Sequence, residues 1–177
     1  MEKTEVFRLI LERRSIRKYR KESVPKDILE RILEAGRLAP SARNAQPWFF
    51  IVIEDDEIKS KLVEACDGQR HVGEAGVVIA VLGDPSISPR FSQDPFIAAS
   101  FMTLEACEEG LGVCWIGRFN EEKVKQLLKV PENLKVVILL TIGYPDEKPE
   151  PRPRKPREEI FFLNEFGRPY PFSPHKT

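Results

Sequence analysis

Residues 40–48, PSARNAQPW, form a short polar turn that offers several groups able to hold a ligand. The turn contains a hydroxyl at Ser41, a guanidinium at Arg43 and carboxamides at Asn44 and Gln46. These groups lie where an amphipathic helix ends and an apolar strand begins, and open α/β sheets tend to bind polar ligands in such places. We therefore predict that this turn holds a polar ligand.

Two clusters of basic residues offer an anion site. Residues 13–18, RRSIRK, place arginines and a hydroxyl after the first helix, and residues 152–155, RPRK, lie on a proline-rich segment. Guanidinium groups suit the bidentate binding of phosphate. Each cluster alone is also typical of a solvated surface. Because the chain has 28 basic and 28 acidic residues, two local clusters together favour one phosphorylated ligand between them.

Residues 110–117, GLGVCWIG, superficially resemble a dinucleotide-binding glycine fingerprint. That fingerprint follows a strand and opens a helix, whereas this segment follows a helix and enters a strand. We reject the dinucleotide-binding interpretation. The glycines fit a helix C-cap and a strand end whose backbone approaches a planar ligand.

The sequence shows no arrangement of side chains for nucleophilic or metal-assisted catalysis. His71 and His175 are the only histidines, and neither lies in a triad motif. We interpret His71 as a structural or rim residue, and no spacing of ligands predicts a metal site. With no catalytic side chain in sight, an enzyme of this sequence would take its chemistry from a cofactor.

Helical periodicity predicts the elements that position these groups. Two helices, over residues 6–13 and 25–40, precede the first strand, and a third lies around residues 58–63. Asn120 caps another helix, which Pro131 ends. A helix over residues 95–111 is apolar almost all round, which is typical of burial inside a domain or at a subunit interface, and we favour the interface.

Uninterrupted apolar runs predict a central, buried sheet. They cover residues 49–53, 77–82 and 136–142, and their lack of polar alternation indicates strands covered on both faces. Residues 113–116 are a fourth strand. From about residue 145, prolines alternate with charged residues and predict an extended arm. The apolar residues 160–166 need burial, so we expect the arm to dock elsewhere, with disorder as the alternative.

Composition limits the classes of protein to which this chain can belong. A length of 177 residues with 41% hydrophobic content predicts a single domain over residues 1–177. The balanced charge favours neither nucleic acid nor an anionic membrane as a partner, and no segment has the length of a membrane span. An odd number of cysteines, Cys66, Cys107 and Cys114, argues against a disulfide framework. We expect a soluble cytoplasmic protein.

Four segments together resemble those of the nitroreductase family of FMN-dependent oxidoreductases. They are residues 13–17, 40–48, 110–117 and 152–156, in the family's order, and the resemblance spans roughly residues 5–160. It implies an α+β fold, a three-layer sandwich whose central mixed β-sheet is flanked by helices. It also implies an intertwined homodimer with one FMN in each of two interface clefts.

The resemblance implies a set of flavin-binding residues by motif position. Those meeting the phosphate, ribityl chain and pyrimidine edge are Arg13, Arg14, Ser15 and Arg17. Those closing on the phosphate are Arg152 and Arg154. Those reaching in from the partner subunit are Pro40, Ser41, Ala42 and Asn44. Those with backbone near the reactive edge of the ring are Trp115, Ile116, Gly117 and Arg118. Gln69 aligns with a carboxamide that would contact the pyrimidine side of the flavin.

The implied activity is hydride transfer from NADH or NADPH, through FMN, to a nitroaromatic compound, a quinone or a similar acceptor. A guanidinium at Arg17 would stabilise the anionic reduced flavin. Two alternatives stay open: a specialised family member, such as a reductive dehalogenase, flavin-fragmenting enzyme or dehydrogenase, and a non-catalytic flavin-binding module. Residues 83–95 are a short loop where larger members carry a helical excursion over the flavin, so the acceptor is not fixed by the resemblance.

Overall fold

The longest apolar runs of the chain form the two central strands of a four-stranded sheet in the computed structural model, which describes residues 4–173. The strands are β1 (Trp48–Ile53), β2 (Val77–Gly83), β3 (Gly112–Ile116) and β4 (Lys135–Gly143). Their spatial order is β1-β2-β4-β3, and every neighbouring pair is antiparallel. His175, considered above, lies outside the described residues.

Six α-helices lie around the sheet within residues 4–173. They are α1 (Glu5–Glu12), α2 (Lys26–Arg37), α3 (Asp56–Ala65), α4 (His71–Glu74), α5 (Asp94–Glu108) and α6 (Glu121–Leu128). Asn120 caps α6 as predicted, by accepting a hydrogen bond from the Lys123 amide at 3.0 Å. None of the helices in the described part of the chain is long and apolar enough to cross a membrane.

The alternation of side chains along β2 explains why the strand is apolar throughout. Val78 and Ala80 belong to a core shared with α3 and α6, whereas Val77 and Ile79 belong to a second core shared with α2 and α5. Since successive side chains point to opposite faces, a strand with a core on each side needs an apolar residue at every position. The expected α+β sandwich of helices around a central sheet is confirmed.

The parallel component of the sheet is small. Ser15 forms a parallel bridge with Val113 at the free edge of β3, and the Ile16 amide donates to the Val113 carbonyl at 3.1 Å. The four strands themselves are antiparallel, so within the described residues the mixed character that the resemblance implied is limited to this isolated bridge.

The prediction that the strand at residues 49–53 is covered on both faces is wrong. β1 lies at the edge of the sheet, Phe49 is 46% exposed, and residues 50–52 are only half-buried. Apolar composition alone does not distinguish a strand covered by its own chain from an edge strand that leaves apolar surface free.

Helix α5 is both buried and exposed. Ala98, Ala99 and Met102 pack in the core, and a Cβ on Gly36 of α2 would overlap Met102, so Gly36 allows the two helices to pack closely. The opposite face leaves Phe96, Ile97 and Phe101 exposed. The helix therefore packs into the core with one face and presents an apolar surface on the other. The sequence had left open burial inside the domain and burial at an interface, and the two faces of the helix correspond to these two alternatives.

The C-terminal arm begins as predicted but does not bury its apolar end within one chain. Tyr19 and Pro145 form an antiparallel bridge, after which the arm is extended as far as a short turn at Arg157–Glu159. Beyond it, aromatic residues contact one another locally, and Phe166 is 92% exposed. Burial of residues 160–166, expected from their composition, is therefore not achieved inside a single chain.

Candidate functional site

The basic segment after α1 is laid along the edge of β3. Ile16 is buried in the core, and a Cβ on Gly112 would overlap its side chain, so the glycine lets the segment approach the strand closely. Because side chains alternate along extended chain, the inward position of Ile16 leaves Ser15 and Arg17 on the outer side. The sequence thereby fixes the direction in which these polar groups project.

The buried hydroxyl of Tyr19 anchors the basic segment to the sheet. The Tyr19 hydroxyl lies 2.8 Å from the Ile16 carbonyl oxygen and 2.8 Å from Thr141 Oγ1 on β4. Burial raises the pKa of Tyr19 far above its usual value, so the phenol stays neutral and can donate at physiological pH. The segment is therefore attached to two strands of the sheet.

The two basic clusters come together across a groove of about 440 Å³. Its charged and polar lining residues are Arg13, Arg14, Ser15, Arg17, Glu150, Arg152 and Arg154. Within the described residues, the guanidinium groups of Arg13, Arg17, Arg152 and Arg154 make no hydrogen bond or ion pair. An excess of unpaired positive charge in a groove favours an anionic ligand.

Arg14 differs from its neighbours because its guanidinium serves helix α1. Arg14 Nη1 donates to the carbonyl oxygens of Leu11, Glu12 and Arg13, at 2.7, 3.0 and 2.9 Å. Those carbonyls lack partners at a helix C-terminus, and positive charge there is favourable. Arg14 Nε is buried without a partner among the described residues. A contact from Arg14 to the flavin stays a prediction, and this capping role was not foreseen.

A second cleft, of about 390 Å³, adjoins the groove. Its lining residues are Arg13, Ser15, Ser100, Thr103, Leu104 and Trp115, so Arg13 and Ser15 border both spaces. The Trp115 indole stacks on Phe96 at 5.7 Å between ring centroids, and its Nε1 donates to Thr103 Oγ1 at 2.9 Å. The cleft thus offers a flat, fixed aromatic wall beside the arginines.

Sequence reasoning missed the contribution of α5 to this cleft. Ser100, Thr103 and Leu104 line it, whereas the helix was interpreted only as an apolar surface. The two hydroxyl residues in the middle of this mainly apolar helix were the available signal. Trp115 was expected to contribute backbone, and the structure adds its side chain.

Gln69 is committed to the turn that follows β3. Its Nε2 donates to the Cys66 and Arg118 carbonyl oxygens, both at 2.9 Å, and the Arg118 guanidinium pairs with Asp67 at 3.0 Å. Both amide hydrogens of Gln69 are therefore used within the chain. Gln69 fixes the turn at Gly117 and Arg118, and only its carbonyl oxygen remains free for a ligand.

The polar turn at residues 40–48 has a strained backbone. Arg43, Asn44 and Gln46 have φ values of 56°, 55° and 49°, in the left-handed region that side chains disfavour. Ser41 Oγ accepts from the Gln46 amide at 2.9 Å. Such strain persists only where the surroundings enforce it, and it concentrates at functional sites.

One buried carboxylate anchors this turn to the domain. Asp94, which is 5% exposed at the start of α5, accepts a hydrogen bond from the Ala42 amide at 3.0 Å. The Arg43 and Asn44 side chains are exposed and have no side-chain hydrogen bond among the described residues. The turn is therefore held from behind and presents its polar groups outward.

The structure does not bring the turn together with the arginines of its own chain. Neither the groove nor the Trp115 cleft is lined by any residue between 40 and 48. Of the predicted site residues, those at positions 13, 14, 15, 17, 115, 152 and 154 line these two spaces. Pro40, Ser41, Ala42 and Asn44 lie apart from them.

The positive charge of the basic segment affects the pKa of His71. Burial lowers the pKa of His71, and the positive charge of Arg17 lowers it further. His71 Nε2 is buried and makes no hydrogen bond within the described residues. The imidazole is therefore mainly neutral at neutral pH.

Comparison with known proteins identifies relatives over most of the chain. The model of the Nitroreductase family matches residues 10–70 and 68–144. A relative from Archaeoglobus fulgidus, whose name pairs NADH dehydrogenase with NAD(P)H nitroreductase, is 39% identical over 153 residues, covering 81% of this chain and 88% of the relative. An iodotyrosine deiodinase from Thermotoga neapolitana is 26% identical over 180 residues, covering 88% and 95% of the two chains.

Among solved structures, an FMN-dependent nitroreductase from Clostridium difficile superposes with a TM-score of 0.82 at 32% sequence identity. The superposition covers 89% of this chain and 98% of the C. difficile chain. The similarity therefore extends over most of both chains.

Proposed function

This chain belongs to the nitroreductase family, and from that premise we propose that it passes hydride from NADH or NADPH through FMN to a nitroaromatic compound, a quinone or a similar acceptor. It is an FMN-dependent NAD(P)H oxidoreductase, in agreement with the names of its relatives. The acceptor and the residues that hold the cofactor are the proposed parts of this function.

The continuity of the arginine groove with the Trp115 cleft is the observation that carries the proposal. FMN has a phosphate at one end and a flat ring at the other, and it supplies the two-electron chemistry when bound. The unpaired guanidiniums of Arg13, Arg17, Arg152 and Arg154 suit the phosphate end, and the cleft beside Trp115 suits the flat end. The donor set of this chain therefore fits the cofactor.

Arg17 has an electrostatic role in this proposal. Its guanidinium is exposed and unpaired among the described residues, so it provides a fixed positive charge at the site. Such a charge stabilises the negative charge of a reduced flavin more than the neutral oxidised form, and it raises the reduction potential.

We propose that a second copy of the chain completes the site with its polar turn. The turn exposes Arg43 and Asn44 to solvent and does not line the groove of its own chain. Exposed apolar residues on α1 and α5, among them Val6, Phe7, Ile10 and Phe101, supply the kind of surface that subunit interfaces bury. A homodimer would bring each turn to the partner's groove.

Anaerobic titration of the purified protein tests the function. We expect a yellow protein with about one FMN per chain, whose flavin absorbance is lost when NADH or NADPH is added. Subsequent addition of a nitroarene or quinone should restore the absorbance. A protein that stays colourless after incubation with FMN would contradict the proposal.

A reductive dehalogenase is the second candidate, because a relative that covers most of this chain is an iodotyrosine deiodinase. The two candidates differ in their acceptors. Rapid steady-state oxidation of NADPH with a nitroarene supports the nitroreductase activity. Release of iodide from iodotyrosine by the reduced protein, with little turnover of nitroarene, supports the dehalogenase.

A further inference from the structure

Glu147 joins the C-terminal arm to the basic segment. Its Oε1 accepts hydrogen bonds from the backbone amides of Arg17 and Lys18, the latter at 3.2 Å. The two partners are 130 and 129 residues away in sequence. Glu147 is only half-buried, so this carboxylate lies at the edge of the site rather than in the core.

The carboxylate extends a short ladder of backbone hydrogen bonds. The Arg20 amide donates to the Tyr144 carbonyl and the Asp146 amide donates to the Lys18 carbonyl, both at 2.9 Å. One residue further along the arm, the ladder ends and the Glu147 side chain supplies the acceptor for the next amides. The arm and the basic segment are thus paired over residues 17–20 and 144–147.

Glu147 is also the last attachment of the arm before its arginines. From Lys148 to Lys155 the described chain makes no hydrogen bond or ion pair with any other part of the molecule. Prolines at 149, 151 and 153 have no backbone N–H with which to form one. The positions of Arg152 and Arg154 therefore depend on how the arm leaves Glu147.

We propose that Glu147 is a positioning residue of the flavin site. Its carboxylate fixes the main chain at Arg17 and anchors the arm, so that Arg17 on one side and Arg152 and Arg154 on the other face the same groove. The inference rests on the proposed function, in which that groove receives the phosphate of FMN.

The direction of the mutational effect separates positioning from charge. A carboxylate beside an anion site weakens anion binding through its charge, so removal of the charge alone should tighten binding. Removal of the acceptor should instead loosen the site, because Arg17 and the arm are no longer held. The two roles of Glu147 predict opposite signs.

Three substitutions at this position distinguish the roles. Glu147→Gln keeps an acceptor oxygen at the same reach and removes the charge. Glu147→Asp keeps the charge but shortens the side chain, so it cannot reach both amides. Glu147→Ala removes the charge and the acceptor together. Glu150→Gln is the matched control, because Glu150 lines the groove without any hydrogen bond to the basic segment.

The experiment is FMN binding to the full-length apoprotein, followed by quenching of flavin fluorescence. We expect Glu147→Ala and Glu147→Asp to raise the dissociation constant about tenfold or more, the range for loss of charge-assisted hydrogen bonds. Glu147→Gln and Glu150→Gln should bind FMN as tightly as the wild type or more tightly. Equal affinities for the Gln, Asp and wild-type proteins would overturn the inference.

A double-mutant cycle with Arg154→Ala tests the role of the arm. If Glu147 positions Arg154, the loss of affinity caused by Arg154→Ala should be smaller in the Glu147→Asp background than in the wild type. Independent, additive losses would overturn the coupling. A wild-type protein that binds no FMN would instead contradict the proposed function, so the two failures are distinguishable.

Discussion

The basic segment at residues 13–19 and the polar turn at residues 40–48 both offer polar groups to a ligand, but the fold holds them in different ways. The segment is part of the sheet edge, with Ile16 in the core and the Tyr19 hydroxyl bonded beneath it. The turn carries its own strain and is fixed by Ser41 and Asp94. The first region lines its groove within one chain, whereas the second lines no part of that groove.

This difference teaches that a binding motif need not lie near the site of its own chain. A segment that follows a strand edge must face whatever groove that edge borders. A strained turn that projects outward can serve a neighbouring molecule, and the exposed apolar surfaces of α1 and α5 would bring that molecule close. The predictions below test whether the two regions belong to one site made by two chains.

Complementation between two defective variants has the largest expected effect. Arg17→Ala should weaken FMN binding by about 10- to 100-fold, because it removes a charged hydrogen-bond donor. Asn44→Ala should weaken FMN binding by removing a polar group of the turn. If each site combines the segment of one chain with the turn of the other, a mixed dimer contains one intact site. Refolding the two variants together should restore about one quarter of the wild-type flavin sites.

Flavin content after gel filtration measures the recovery. Arg20→Ala is the control, since Arg20 directly follows the basic segment but lines a different cleft and pairs with Glu22. A mixture that recovers no flavin beyond the sum of the separate variants would mean that both regions act within one chain.

Asp94→Ala should have an intermediate effect that is confined to the turn. Removal of this buried acceptor leaves the Ala42 amide without its partner, and we expect a loss of about 1–3 kcal/mol in the free energy of unfolding. Flavin occupancy should also fall, because the strained backbone is no longer enforced. Urea unfolding and flavin content measure the two effects, and Asp94→Asn, which keeps an acceptor, should lose less of each.

The pH dependence of stability should show the smallest effect, and it belongs to the segment rather than the turn. Burial and Arg17 lower the pKa of His71 in the folded chain below its ordinary value of 6.5. Well above pH 6.5 the imidazole is neutral in both the folded and the unfolded state. As the pH falls below this value the unfolded chain binds the proton first, so the free energy of unfolding decreases, by at most about 1.4 kcal/mol per pH unit.

Urea unfolding at several pH values between 5 and 8 measures this slope, and His71→Gln should remove its contribution. Glu74 and Glu147 raise the pKa of His71 and so oppose the effect. Arg17→Ala should reduce the slope, whereas Arg43→Ala on the turn should leave it unchanged. An equal change in both arginine variants would mean that His71 does not sense the basic segment specifically.

Some features of the fold follow directly from residue type and order. An unbroken apolar run predicts a strand with a core on each side, and β2 and β4 are such strands. The same rule fails for β1, because an apolar sequence does not show whether the rest of the chain covers both faces of the strand. It fails again at residues 160–166, where Ile160, Phe161 and Phe166 stay exposed within one chain.

Roles that depend on a distant partner were not visible in the sequence. Arg14 looked like its neighbours in RRSIRK, but it caps α1 through three carbonyl oxygens. Gln69 was interpreted as a flavin contact, which stays a prediction for its carbonyl oxygen; its amide hydrogens hold the turn at Arg118. Ser100 and Thr103 line the Trp115 cleft because α5 packs beside β3, which the sequence alone did not show.

The sequence by itself determined the polar groups available, the apolar runs that form the strands, and the order of the four family segments. These depend on residue chemistry and local spacing, which are the same whatever tertiary structure the chain adopts. The tertiary structure decided that the arginines at 13–17 and 152–154 face one groove, because the Glu147 carboxylate binds amides that are 130 and 129 residues away. It also decided that the polar turn faces outward, because only the packing of α5 places Asp94 behind Ala42.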